Sequence, residues 1–164
     1  MLLIVAIEME LVGIELERPP NIPCLLLREA EGDRRVLPIF IGSPEATAIA
    51  FALEEVEVPR PMTHDLIKDL LDEVGARIER VVVTELRDST FFADIVLSVN
   101  GGPRSVSARP SDAVAMAVRY GVPVFAEEDV LDAAGRAAGE GVPDAIVEQF
   151  KEFIEQVNPD DFGS

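Results

Sequence analysis

The sequence predicts an α+β fold, a mixed sheet with helices, built as an internal duplication of a strand–strand–helix–helix unit. Three observations carry this. Stretches of period-two alternation interleave with stretches whose apolar residues recur at helical spacing. Glycine, proline and asparagine fall between those stretches, where turns are needed. Two segments at an offset of 67 positions (45 to 112), Glu45-Ala46-Thr47-Ala48-Ile49-Ala50 and Asp112-Ala113-Val114-Ala115-Met116-Ala117, share an acidic start and alternating alanines.

The elements follow in order. Val5, Ile7, Met9 and Leu11 alternate with Ala6, Glu8, Glu10 and Val12, a first strand. Residues 24–30 and 35–41 read as a second and third strand, joined by a turn at Glu31-Gly32-Asp33. Ser43 as N-cap, Pro44 at the first helical position and Glu45 at the positive helix end open an alanine-rich helix running to Glu55. Such a composition suits a well-buried helix. Pro59 and Pro61 mark a loop. A second helix starts at Thr63, with Leu66, Ile67, Leu70, Leu71 and Val74 on one face and Gly75 fitting its C-terminal cap.

The second half repeats the plan. Residues 78–86 form a strand, and Phe91, Ala93, Ile95, Leu97 and Val99 mark another, half-buried one. Asn100-Gly101-Gly102 signals a hairpin turn and residues 104–108 return. Pro110 or Ser111 opens a helix that ends near Gly121, and Pro123-Val124-Phe125 leads into a short helix from about Glu128. The same offset sets Leu25 against Phe92, hairpin against hairpin. Residues 1–134 thus form one domain. Residues 135–164 form a C-terminal segment with an amphipathic helix over 143–157, striped by Ile146, Phe150, Phe153 and Val157. That helix packs on its own domain or meets a second subunit, and a homo-oligomer, a dimer first, is the expected assembly.

At 164 residues the chain suits one domain, able to bury roughly 70% of the surface its unfolded form exposes. No apolar run reaches the ~18 residues of a membrane span, so no membrane partner is expected. Met1–Glu10 lacks the basic start of a signal peptide. Cys24, inside an apolar run, is the one cysteine; it has no internal disulfide partner and reads as a small buried hydrophobe. These features fit a cytoplasmic protein. Fourteen basic against thirty-one acidic side chains give a net charge of −17, which repels the nucleic-acid backbone. The charge serves solubility, or divalent cations offset it at a site. A single His and a single Cys exclude a zinc site made mainly of those residues. Carboxylate oxygens point to Mg²⁺, Mn²⁺ or Ca²⁺ instead.

Two segments concentrate chemistry: Arg60-Pro61-Met62-Thr63-His64-Asp65 and Arg109-Pro110-Ser111-Asp112. Each places an arginine, a capping hydroxyl and a carboxylate at a helix N-terminus, where free N–H groups suit phosphate. The arginine adds a bidentate fork, the carboxylate can hold a metal or activate water, and His64 can move a proton near neutral pH. The same residue types also cap helices and pair arginine with a neighbouring carboxylate. No nucleophile elbow, P-loop, dinucleotide loop or metalloprotease signature is present.

At these residues the chain resembles the bifunctional nuclease domain family. The resemblance rests on Leu37-Pro38-Ile39-Phe40-Ile41-Gly42 with Glu45-Ala46, Arg60 to Leu66, Asp88-Ser89-Thr90-Phe91-Phe92-Ala93 and Ala108 to Ala113. The tail, from Glu148-Gln149-Phe150 to Asp161-Phe162, is similar to that of actinobacterial members. The resemblance implies a mixed α+β fold and nuclease action on DNA and RNA. Carried over by position, Glu45, His64, Asp65, Arg109 and Asp112 match the family's polar residues. Glu45, Asp65 and Asp112 would hold Mg²⁺ or Mn²⁺, and His64, Asp65 and Asp112 would be catalytic. Arg60, Arg109 and Ser111 would bind a short or single-stranded nucleic acid. Ser107 is a departure, because many relatives have an acidic residue there. The alternative is a non-catalytic regulatory protein that binds a nucleotide or small anion, and a third reading is an assembly subunit.

Overall fold

The computed structural model describes residues 5–17 and 21–137; the segment 143–157 and its predicted stripe lie outside them. The described residues form a seven-stranded mixed sheet and four helices. β1 (Ala6–Glu17), β2 (Ile22–Glu29) and β3 (Val36–Phe40) make an antiparallel meander, followed by α1 (Ser43–Leu53) and α2 (Thr63–Glu73). β4 (Ala76–Arg87), β5 (Thr90–Val99) and β6 (Gly102–Ala108) make a second one, followed by α3 (Pro110–Tyr120), β7 (Val124–Glu127) and α4 (Glu128–Ala134). The strand order is β3-β2-β1-β7-β4-β5-β6. β7 joins the two meanders, running antiparallel to β1 and parallel to β4.

Local chemistry explains the boundaries. Asn100 and Gly101 both take positive φ, 53° and 77°, the backbone that a two-residue hairpin requires. Gly121 ends α3 in the left-handed conformation that glycine adopts without steric cost. The cap of α1 is Gly42 rather than Ser43, which is already helical. Neither Thr63 nor Ser111 caps its helix: the cap positions belong to Met62 and Arg109. At α2 the orphan N–H of Met62 is taken by the Asp65 carboxylate, 3.0 Å away.

The core lies between the sheet and α1 and α3. Leu25, Leu27, Leu37, Ile49, Val81 and Val114 are almost wholly excluded from solvent. The alternating alanines of α1 (Ala46, Ala48, Ala50) and α3 (Ala113, Ala115, Ala117) are buried too, and the two helices pack together. Small side chains let helix axes approach, so both N-termini arrive at one place. α1 and α3 begin at Ser43 and Pro110, the same offset that relates their sequences.

α2 departs from expectation. Its stripe does not face the core: Leu66, Ile67, Leu70 and Val74 are exposed, Val74 by 70%, and only Leu71 packs inward. Polar ties to α3 hold the helix instead. Tyr120 donates to Asp72 Oδ1 at 3.0 Å, Arg119 Nε donates to Asp65 Oδ1 at 2.7 Å, and His64 meets Asp112. Among the described residues no helix is long and apolar enough to cross a membrane.

Candidate active site

Three helix N-termini converge. Glu45 sits in the first turn of α1, His64 and Asp65 in that of α2, and Asp112 in that of α3, with Arg109 at the α3 cap. The two motif segments therefore meet. His64 Nε2 lies 2.9 Å from Asp112 Oδ1. Arg109 donates through Nε to Asp112 Oδ2 at 2.8 Å and through Nη2 to Glu45 Oε1 at 2.9 Å. The result is one continuous chain, His64–Asp112–Arg109–Glu45, drawn from residues 45 to 112.

These groups border a cleft of about 600 Å³, with Met62, Ala48 and Ile67 among its apolar walls. The His64 side chain is 9% exposed, whereas Arg109 is 65% exposed. The chain thus runs from a nearly buried imidazole to an open guanidinium. Burial pushes the Asp112 carboxyl up, but hydrogen bonds from Arg109 and His64 outweigh that and hold it below the ordinary aspartate value of 3.8. Asp112 and Glu45 in turn raise the pKa of Arg109, which stays a fixed cation. An ionised Asp112 only accepts hydrogen bonds, so His64 donates from Nε2, and in the neutral ring the lone pair is then on Nδ1.

The other expected site residues lie apart from this chain. Asp65 is directed to Arg119 and to the backbone of Met62, away from Glu45 and Asp112. The set of three expected carboxylates is therefore two in the cleft. Among the described residues no three His, Cys, Asp or Glu side chains are grouped as metal ligands. Arg60 is exposed in the loop before α2 and does not line the cleft. Ser111 is buried beside Arg109 but lines a second, neighbouring cleft. Ser107 is exposed on β6, opposite Asp94, so the acidic residue it replaces would stand outside the cleft. Arg119, which claims Asp65, gives no signal in the sequence, because the two are 54 positions apart.

The fold and the cleft define an α+β protein with a histidine–carboxylate–arginine chain at a junction of helix N-termini. Residues 25–138 match the model of the bifunctional nuclease domain, and the chain belongs to that family. It is 49% identical over 163 residues to an uncharacterized protein of Mycobacterium tuberculosis (strain ATCC 25618 / H37Rv), covering 94% of this chain and 97% of that protein. It is 30% identical over 105 residues to Bifunctional nuclease 1 of Arabidopsis thaliana, and 28% identical over 105 residues to Bifunctional nuclease 2 of Oryza sativa subsp. japonica. Those two matches cover 62% of this chain and 32% of each plant protein. The chain thus spans about a third of the plant relatives' length.

Proposed function

We propose that the cleft hydrolyses phosphodiester bonds of nucleic acid, in short or single-stranded form. The His64–Asp112–Arg109–Glu45 chain carries this reading, and the names of the plant relatives agree with it. Arg109 is the phosphate clamp. Its guanidinium is exposed and forked, so an incoming phosphate can compete for it with the two carboxylates. His64 is the base. With Nε2 held by Asp112, Nδ1 accepts a proton from water as the water oxygen attacks phosphorus, and the same proton is available to the departing oxygen when the P–O bond breaks. Asp112 is a positioning residue that fixes the tautomer. No covalent nucleophile is required.

Mg²⁺ or Mn²⁺ fits this reading on two carboxylates, Glu45 and Asp112. Both are hard oxygen donors, and such ions are commonly held by one or two carboxylates plus the substrate's phosphate. A bound ion would supply charge neutralisation at the phosphate. Arg109 now provides the positive charge between those carboxylates, so metal and phosphate binding should be mutually supportive: each relieves the other's competition for the same groups.

The test compares wild type with Asp112→Asn, prepared identically, on labelled single-stranded RNA and DNA with Mg²⁺, Mn²⁺ or EDTA. The expected result is cleavage by wild type and loss in the folded variant. Equal cleavage by both counts against this site. Millimolar Mn²⁺ should also raise the melting temperature of wild type and not of Asp112→Asn. Binding without cleavage in wild type would favour the regulatory, anion-binding reading.

A further inference from the structure

We propose that the second cleft beside Arg109 is a subsite for one unpaired nucleobase of a single strand, stacked on Phe40 and Phe91, with the adjoining phosphate on Arg109. This rests on the phosphodiester reading of the first cleft and names the form of its substrate. The second cleft holds about 360 Å³, within the range of small-ligand sites. Arg109 lines both clefts, so a phosphate on its guanidinium has the hydrolytic chain on one side and this space on the other.

The walls suit a base. Phe40, at the end of β3, is 57% exposed, an aromatic face left open beside a cation. Phe91 lines the opposite element, the start of β5. The Ser111 hydroxyl lines the same cleft; the residue is 5% exposed, and among the described residues that hydroxyl has no hydrogen-bond partner. Ser89 and Thr90 add two exposed hydroxyls at the rim. They sit on a two-residue hairpin whose Asp88 and Ser89 take φ of 50° and 61°. Both residues of such a hairpin take positive φ, as Asn100 and Gly101 do, so the turn itself sets this backbone. The two segments that line this cleft, Ile39–Ile41 and Ser89–Phe91, take no part in the hydrolytic chain.

Charge points the same way. At −17 the protein gains little from distant phosphates, so affinity must come from contacts that do not depend on net charge. Base stacking is such a contact, and it tolerates any sequence. A paired base keeps its faces within the duplex, so only an unpaired base can enter.

The experiment uses the absence of tryptophan from this chain. In Phe40→Trp the introduced indole is the only one, and stacking should quench it. Quenching is expected with octathymidylate, and not with an abasic octamer of equal charge or with a duplex. By fluorescence anisotropy in EDTA, Phe40→Ala should weaken octathymidylate binding about tenfold and leave the abasic octamer unchanged. Phe40→Tyr should restore it. Wild-type affinity in a folded Phe40→Ala, or equal quenching by the abasic octamer, would overturn the proposal. The two readings fail separately. Stacking lost with cleavage retained removes this subsite alone. Stacking retained while Asp112→Asn cleaves like wild type removes the hydrolytic chain alone.

Discussion

The contact between His64 and Asp112 joins two segments 48 positions apart, and it can be weighed by a double-mutant cycle. In Asp112→Ala the nearly buried imidazole loses its only side-chain partner among the described residues, and leaving such a group unsatisfied costs about 1–3 kcal/mol. The Arg109 arm adds about 0.5 kcal/mol or less, because that guanidinium is well exposed. The sum, about 1–3.5 kcal/mol, should lower the melting temperature by roughly 2–14 °C for a chain of this size. His64→Ala loses packing as well, and the double variant should reveal a coupling of about 1–2 kcal/mol in urea denaturation at pH 7. The pH sign follows from Asp112. Its pKa is lowered in the fold, so its stabilisation is fully present above the ordinary aspartate value of 3.8 and is lost as pH falls through the lowered one. The stability gap between wild type and Asp112→Asn should therefore hold steady from pH 7 to about 5 and close in stronger acid. A coupling under about 0.3 kcal/mol, or a gap indifferent to acid, would refute the contact as described.

Three other perturbations have defined outcomes. Arg35 ties the buried Glu29 to Glu128 of α4 at 2.8 and 2.7 Å, and its hydrogen bond holds the Glu29 carboxyl below the ordinary glutamate range. Arg35→Ala strands that carboxylate and should cost about 2–4 kcal/mol by chemical denaturation, the partial exposure of Arg35 being allowed for; a cost under about 1 kcal/mol would mean that water replaces the arginine. A Cβ on Gly42 would collide with the Glu45 carboxylate, while the backbone at φ −76° accepts alanine. Gly42→Ala should therefore keep the melting temperature within a few degrees yet alter phosphate binding, read by titration with a short oligonucleotide. Finally, Leu70→Ala on the exposed face of α2 should cost less than about 1 kcal/mol, and Ile49→Ala in the core about 2–5 kcal/mol.

That last contrast shows where the sequence speaks and where it does not. Strands β1 to β6 were legible because alternation and turn residues are local: Asn100-Gly101 needs nothing distant to form its hairpin. The alanine-rich α1 and α3 were legible as buried elements for the same reason. The stripe of α2 was legible as amphipathic, but periodicity does not say which way an apolar face turns. Ties at His64, Asp65 and Asp72 set that orientation, and each depends on a partner in α3. The caps missed by one or two residues followed from the same limit: a serine or threonine near a helix start is a sound expectation, yet here Gly42, Met62 and Arg109 hold the position. In the cleft, the reactive residue types were visible beforehand. Their grouping was not, since only the fold separates Asp65, turned to Arg119, from Glu45 and Asp112, joined by Arg109.

The charge of the chain and the chemistry of its cleft then become compatible. A protein that tracks long nucleic acid spreads lysine and arginine over its surface, and affinity falls steeply as salt displaces those contacts. Here Arg109 is already compensated by Glu45 and Asp112, so it offers phosphate an exchange rather than an unpaired charge. On the proposed reading, binding of one phosphate would release two carboxylates, and the remaining acidic surface would oppose that release unless a divalent ion took them up. Such an arrangement favours ligands that bring a metal and a single exposed phosphate together, and disfavours the continuous backbone of a duplex. Oligonucleotide affinity should accordingly depend on Mg²⁺ or Mn²⁺ more than on monovalent salt, with a slope against salt of about one phosphate contact. Filter binding across a salt series with and without Mn²⁺ measures it. A slope corresponding to several phosphates, unchanged by metal, would place binding on some other surface and remove Arg109 from its role.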